Sequence, residues 1–252
     1  MTLIGSSVKR VEDKRFLTGQ GKYTDDIKLP NMTYTRFVRS PYAHANIKGV
    51  DISKAEGMPG VVKIYTGKDV EALNGVPCGW QVNFINGDTM KEPKHPLLCA
   101  DKVLHAGDAV AMVIAESYAE AKDAAEAVFV DYEELPAVTN PKAGAQPDAP
   151  QVHADAPGNL CFDWQLGNDK ADVDAAFEKA HHVTTLEYIN NRVVPNAMEP
   201  RSAIGHFDTA YDKWTLYTST QNPHLIRLLL CCLLYTSPSP RDATLSRMPS
   251  SA

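Results

Sequence analysis

Residues 105–138 read HAGDAVAMVIAESYAEAKDAAEAVFVDYEELPAV, and the order of elements in this stretch sets the fold class. Ala109 to Ala115 is an unbroken apolar run of strand length, the pattern of a strand covered on both faces. The Ala- and Glu-rich run after it predicts a helix from Ser117 to Ala127, with Ser117 as N-cap and Glu120 as its capping-box partner. The stretch VFVDYEELPAV then reads as a second strand. Strand, helix, strand predicts a βαβ-like unit.

Toward the amino terminus, LTGQGKYTDDIKLPNM is rich in turn formers. TYTRFVRS alternates, which places Tyr34, Arg36 and Val38 on one face of a strand and Phe37 on the other. GVVKIYTG, fenced by Gly60 and Gly67, is a further short strand, and 74–96 holds too many breakers for a long element. Toward the carboxyl terminus, residues 139–159 are rich in Pro, Ala and Gly and read as a linker between domains. ADVDAAFEKA predicts a short helix, and HHVTTLEYI, RSAIGHF and KWTLYTS three strands. The last two form a hairpin around DTAYD, with Trp214, Leu216 and Thr218 on one face.

At 252 residues the chain suffices for one large or two ordinary domains, and 44% apolar residues provide for a buried core. A net charge of −6 without a basic cluster argues against nucleic acid as a partner. The opening MTLIGSSVKRVEDKRF has no signal-peptide core, and no run approaches the roughly 20 apolar residues of a membrane span. The five cysteines, at 78, 99, 161, 231 and 232, show no C-x-x-C spacing. That argues against a zinc ribbon or an iron–sulfur cluster held by this chain alone, and it suits a reducing cytoplasm.

Thr220, Gln221, Asn222 and Pro223 follow the last strand. Asn is a preferred N-cap and Pro is favoured at the first helical position, so HLIRLLLC is expected to be a largely buried helix. Gln221 then stands at a strand-to-helix corner, where free N–H groups and the positive end of the helix dipole favour anionic ligands. It is open at this point whether Gln221 is a ligand-binding residue or a turn residue.

Four stretches together resemble the large, molybdenum-binding subunit of the xanthine dehydrogenase, aldehyde oxidase and aerobic carbon monoxide dehydrogenase family. RVEDKRFLTGQGKYTDDIKLPNMTYTRFVRSPYAHANI is similar to the opening of that family's α/β hammerhead domain, and residues 105–138 to its close. VHADAPGNLCFDWQLGN is similar to the family linker, and NRVVPNAMEPRSAIGHFD with WTLYTSTQNPHLIRLLLC to the first segment of the molybdopterin-binding domain. The match covers residues 5–231. It implies an α+β fold: an α/β hammerhead domain over 1–138, a linker over 139–170, and the truncated start of a molybdopterin-binding domain over 171–231. It also implies a molybdenum–molybdopterin cofactor and a small-molecule substrate oxidised with oxygen from water. Electrons would pass to iron–sulfur and FAD centres on partner subunits.

By this resemblance Gln221 takes a cofactor-binding role, hydrogen-bonding near an oxygen ligand of the metal. The family's catalytic glutamate, Gly-rich cofactor loops and substrate loop match nothing here, so no catalytic residue and no metal ligand is assigned. The competing reading is a free-standing hammerhead module for protein interaction, without catalysis.

Cys232 to Ala252 reads CLLYTSPSPRDATLSRMPSSA, which resembles the translation of a sequencing-library adapter, two constant parts flanking Ala243 to Leu245. The expectation is that 232–252 is not biological. Other candidates read as structural. GQGKYTDD lacks the third glycine of a dinucleotide fingerprint, and Asp25 and Asp26 read as a solvated loop. His181 and His182 point to opposite sides of a strand, without a third ligand near in sequence. Glu199 and Arg201 are expected to form local hydrogen bonds, and Tyr42 and His44 to pack and close a loop.

Overall fold

The central apolar strand lies where its composition demands, between two neighbours. The computed structural model describes residues 4–73, 75–191 and 193–234. In it the chain forms two units. One comprises residues 33–190 and 224–234, the other residues 4–32 and 191–223. Each is mixed α and β, in keeping with the α+β class.

In chain order the elements are α1 (Asp13–Leu17), β1 (Tyr34–Arg39), β2 (Ala45–Asp51), α2 (Ser53–Glu56), β3 (Val61–Thr66), β4 (Lys102–Val103) and β5 (Ala109–Ala115). There follow α3 (Tyr118–Ala127), β6 (Phe129–Glu134), α4 (Pro141–Gly144), α5 (Lys170–Lys179), β7 (Ala203–Asp208), β8 (Lys213–Thr218) and α6 (Pro223–Leu234). In the larger unit, β1-β5-β3 and β4-β2-β6 are three-stranded sheets, antiparallel at every pairing.

β5 has strands on both sides, and Val110, Ala111, Val113 and Ala115 are fully buried. On one face Ala111 and Val113 meet Ile64, Ala55 and Ala124. The buried alanines of α3, Ala121 and Ala124, carry too little bulk to hold the helix off the sheet. On the other face Val110 joins Ala45, Cys99 and Val103. Val50 and Val130, partners across β2 and β6, touch both clusters and knit the two sheets into one core.

The predicted βαβ unit is corrected. α3 carries the chain out of one sheet into the other, so β5 and β6 are not sheet partners. Both slots beside β5 are already filled by β1 and β3, and their antiparallel pairing leaves no place for a parallel neighbour.

β1 alternates as expected, with Tyr34, Arg36 and Val38 half-buried and Phe37 exposed. Ser117 caps α3: its Oγ accepts from the Glu120 N–H at 3.2 Å and contacts Glu120 Oε2 at 2.7 Å. Residues 75–96 show only isolated bridges, Val76 to His95 and Asn83 to Thr89. The helix expected in ADVDAAFEKA forms as α5.

In the smaller unit, β7 and β8 pair antiparallel from Ala203 with Thr218 to Asp208 with Lys213. Phe207 and Trp214 stack across the pair at 4.6 Å between ring centres. HHVTTLEYI is not a strand: residues 181–190 have no regular structure and are exposed. β-Branched alternation supplies propensity, but a strand forms only against a partner edge.

α6 is less buried than expected. Leu225 and Leu228 stay exposed, Ile226, Leu229 and Leu230 are half-buried, and Cys231 and Leu233 are buried. The helix runs through Cys232 to Leu234. The rest of the segment expected to be non-biological, 235–252, lies outside the described residues.

Candidate functional site

Gln221 occupies a bend between the end of β8 at Thr218 and the start of α6 at Pro223. The turn is fixed locally: the Asn222 N–H donates to Thr220 Oγ1 at 3.1 Å. Thr218 Oγ1 donates to the Ser202 carbonyl at 2.9 Å, which ties the end of β8 back to the entry of β7. The Gln221 side chain is exposed, and among the described residues no hydrogen bond engages its carboxamide. It therefore offers one uncharged donor and one acceptor held by a short, tethered turn. A neutral amide can donate and accept without the desolvation cost that a charged side chain would add.

Glu199 does more than the sequence led us to expect. Its Oε1 accepts from the Thr24 N–H at 3.1 Å and from Thr24 Oγ1 at 3.3 Å. The expected local bonds are corrected to one joint between segments 175 residues apart, both within the smaller unit. Thr24 is buried, in a short 3-10 turn that Asp26 closes by accepting from the Tyr23 N–H at 2.9 Å. A carboxylate accepting two bonds from one residue sets the register of the amino-terminal segment against the entry to β7. Arg201 is exposed.

His181 and His182 are both exposed, and the His182 ring meets Thr184 Oγ1 at 3.1 Å. His44 closes a loop: its ring N–H at Nδ1 donates to the Pro136 carbonyl at 2.7 Å, and its own carbonyl accepts from Leu135. Tyr42 stacks on Tyr132 at 5.2 Å between ring centres. Burial pushes the Tyr132 phenol up, against the opposing effect of the Ser40 hydroxyl.

Sequence reasoning missed a buried acid. Asp108 is 7% exposed, and its Oδ2 accepts from the N–H groups of Leu104 and His105 at 2.7 and 3.1 Å. Its Oδ1 pairs with His105 Nδ1 at 2.9 Å. The signal was present in LHAGD, an acid three residues after a histidine, with Gly107 turning the chain at φ +95°. Beside it, burial and then the charge of Asp108 push the Cys99 thiol up to about 12.

Comparison with known proteins finds two matched stretches in the chain. Residues 18–136 match the model for the α/β hammerhead domain of aldehyde oxidase and xanthine dehydrogenase. Residues 152–239 match that for a molybdopterin cofactor-binding domain. The carbon monoxide dehydrogenase large chain of Afipia carboxidovorans is 37% identical over 239 residues, covering 90% of this chain and 28% of that protein. The nicotine 6-hydroxylase large subunit of Paenarthrobacter nicotinovorans is 36% identical over 233 residues, covering 92% of this chain and 28% of that one. The crystal structure of quinoline 2-oxidoreductase from Pseudomonas putida superposes with a TM-score of 0.81 at 32% identity, covering 91% of this chain and 28% of that one. The chain thus spans a little over a quarter of the length of these relatives.

Proposed function

The chain belongs to the aldehyde oxidase and xanthine dehydrogenase family, and we propose that it serves as the amino-terminal part of the molybdenum-binding large subunit of an oxidoreductase. The whole subunit would oxidise a small substrate with oxygen drawn from water. One observation carries the reading: a hammerhead match over 18–136 is followed in order by a cofactor-domain match over 152–239.

The molybdenum–pterin group would supply the two-electron oxidation. This chain would contribute the Gln221 carboxamide, which would hydrogen-bond at the metal end of the cofactor, on a turn fixed by Thr220 and Thr218. The joint between Glu199 and Thr24 would keep the hairpin that carries this turn in register.

Iron–sulfur and flavin centres on partner subunits would take the electrons, in the cytoplasm. The lack of any C-x-x-C spacing among the five cysteines favours clusters held elsewhere. Among the described residues no helix is long and apolar enough to cross a membrane.

The test begins with the gene. We expect the locus, read across codon 232, to depart from the given sequence and to continue as cofactor-domain coding sequence. The full-length product, expressed with its neighbouring genes, should contain molybdenum and pterin, and Gln221→Ala should lower turnover while leaving both contents intact. A full-length product devoid of pterin under conditions that load a control molybdenum enzyme would overturn the reading.

A further inference from the structure

Within the larger unit, residues 80–85 and 164–169 enclose an open cleft of about 580 Å³. That volume lies in the roughly 300–1,000 Å³ range of ligand sites. Backbone bonds join its two walls: the Ile85 N–H donates to the Asp163 carbonyl at 2.9 Å, and the Lys91 N–H to the Cys161 carbonyl at 2.7 Å. The first wall is braced from behind by Glu92. Its Oε1 accepts from the Cys78 N–H at 2.5 Å and its Oε2 from Gln81 Nε2 at 2.7 Å, while the Cys78 thiol donates to the Trp80 carbonyl at 2.9 Å. In the second wall Gln165 Nε2 donates to the Asn168 carbonyl at 3.0 Å.

These bonds decide what the cleft presents. Gln81 faces a carboxylate and Gln165 a carbonyl, both acceptors only, so each amide must turn its nitrogen that way. Each amide oxygen is left without a hydrogen bond among the described residues. Asp169 precedes α5, yet its carboxylate makes no capping bond. The neighbouring Lys170 pairs with Asp174 instead, and no basic side chain lines the cleft. Trp80 and Trp164, 76% and 51% exposed, add two aromatic rings. The cleft therefore offers fixed acceptors, a negative charge and indole faces.

We propose that this cleft is a docking site for an arginine side chain of a partner polypeptide. A guanidinium is planar, permanently charged and a donor only, which matches each of these features. It stacks on indole and gives charge-assisted bonds to a carboxylate. An ammonium lacks the plane, and a neutral amide lacks the charge. The apolar side chains beside the two rings point to a polypeptide as the carrier. Ile85 and Leu166 are exposed in the same two walls, and a free guanidinium compound would leave them in water. A protein surface centred on an arginine would cover them as the rim of an interface.

The test is a titration of the 252-residue chain with the blocked tripeptide acetyl-Gly-Arg-Gly-amide, followed by the indole N–H signals of its three tryptophans. The signals of Trp80 and Trp164, identified from Trp80→Phe and Trp164→Phe, should shift saturably. That of Trp214, in the smaller unit, should stay still. The lysine analogue should bind more weakly, and the glutamine analogue should cause no shift. Trp80→Ala and Asp169→Asn should each weaken binding about fivefold, with the signals of β5 unchanged as the check on folding. Absence of a saturable shift overturns the proposal, as does equal binding of the three peptides or undiminished affinity in Asp169→Asn. Indole signals that move on dilution of the chain alone would assign the cleft to a second copy and overturn the separate partner. A longer product of the locus that no longer binds the peptide would do the same, because its own residues would then fill the cleft.

Discussion

At the scale of single residues, burial decides what the reactive groups can do. Cys99 is 4% exposed and sits beside the Asp108 carboxylate, and both effects disfavour the thiolate. With its thiol pushed up to about 12, against 9.0 for a free one, the thiolate fraction near pH 8 is lower by roughly a thousandfold. Cys78 is exposed. Iodoacetamide at pH 8 should therefore alkylate Cys78 in the folded chain and leave Cys99 untouched, as peptide mass mapping would report; in guanidinium the two should react alike. Comparable labelling of both in the folded chain would mean that the pocket around Cys99 opens freely. Gln221 is the opposite case. Its position at a turn was legible from Asn222 and Pro223, but its role was not, since a neutral amide leaves no charge or periodic signature. The cofactor-binding role proposed for it rests on resemblance alone.

At the scale of elements, local chemistry was legible and long-range pairing was not. The N-cap of α3 was written in Ser117, whose Oγ accepts from the Glu120 N–H; of the expected box, the Glu120 carboxylate meets the Ser117 hydroxyl rather than its backbone N–H. Ser117→Ala removes the acceptor for the Glu120 N–H, and we expect a loss of about 1 kcal/mol with an unchanged urea m-value. A loss below a few tenths would show that Glu120 or water takes over the cap. The continuous apolar run of β5 announced burial on both faces for the same local reason. Its neighbours, β1 and β3, come from residues 34–66, and no local pattern states which edge a strand will meet. The βαβ expectation failed there, and β2 went unread because its run ANIKGVD mixes polar and apolar positions around Gly49. HHVTTLEYI erred in the other direction: it has strand composition but no partner edge within the described residues.

At the scale of the molecule, burial is divided unevenly. The two core clusters lie within residues 45–128, whereas no described residue from 157 to 230 is buried. The exposed residues there include Leu186, Tyr188, Ile189 and Trp214, at 77%, 77%, 85% and 64% exposure. A two-stranded hairpin such as β7-β8 is marginal in water without a covering layer, and an unpaired apolar segment is readily cleaved. Chymotrypsin at low ratio should therefore cut first after Leu186 or Tyr188, while a fragment holding residues 33–138 persists. Because the relatives are more than three times as long, a product extended to their length is expected to resist cleavage at these same bonds. Early cutting inside β5 would break the link between burial and resistance. Rapid cutting after Tyr188 in the extended product would show that the added length does not cover this segment, and the exposed apolar residues would then need an intermolecular partner.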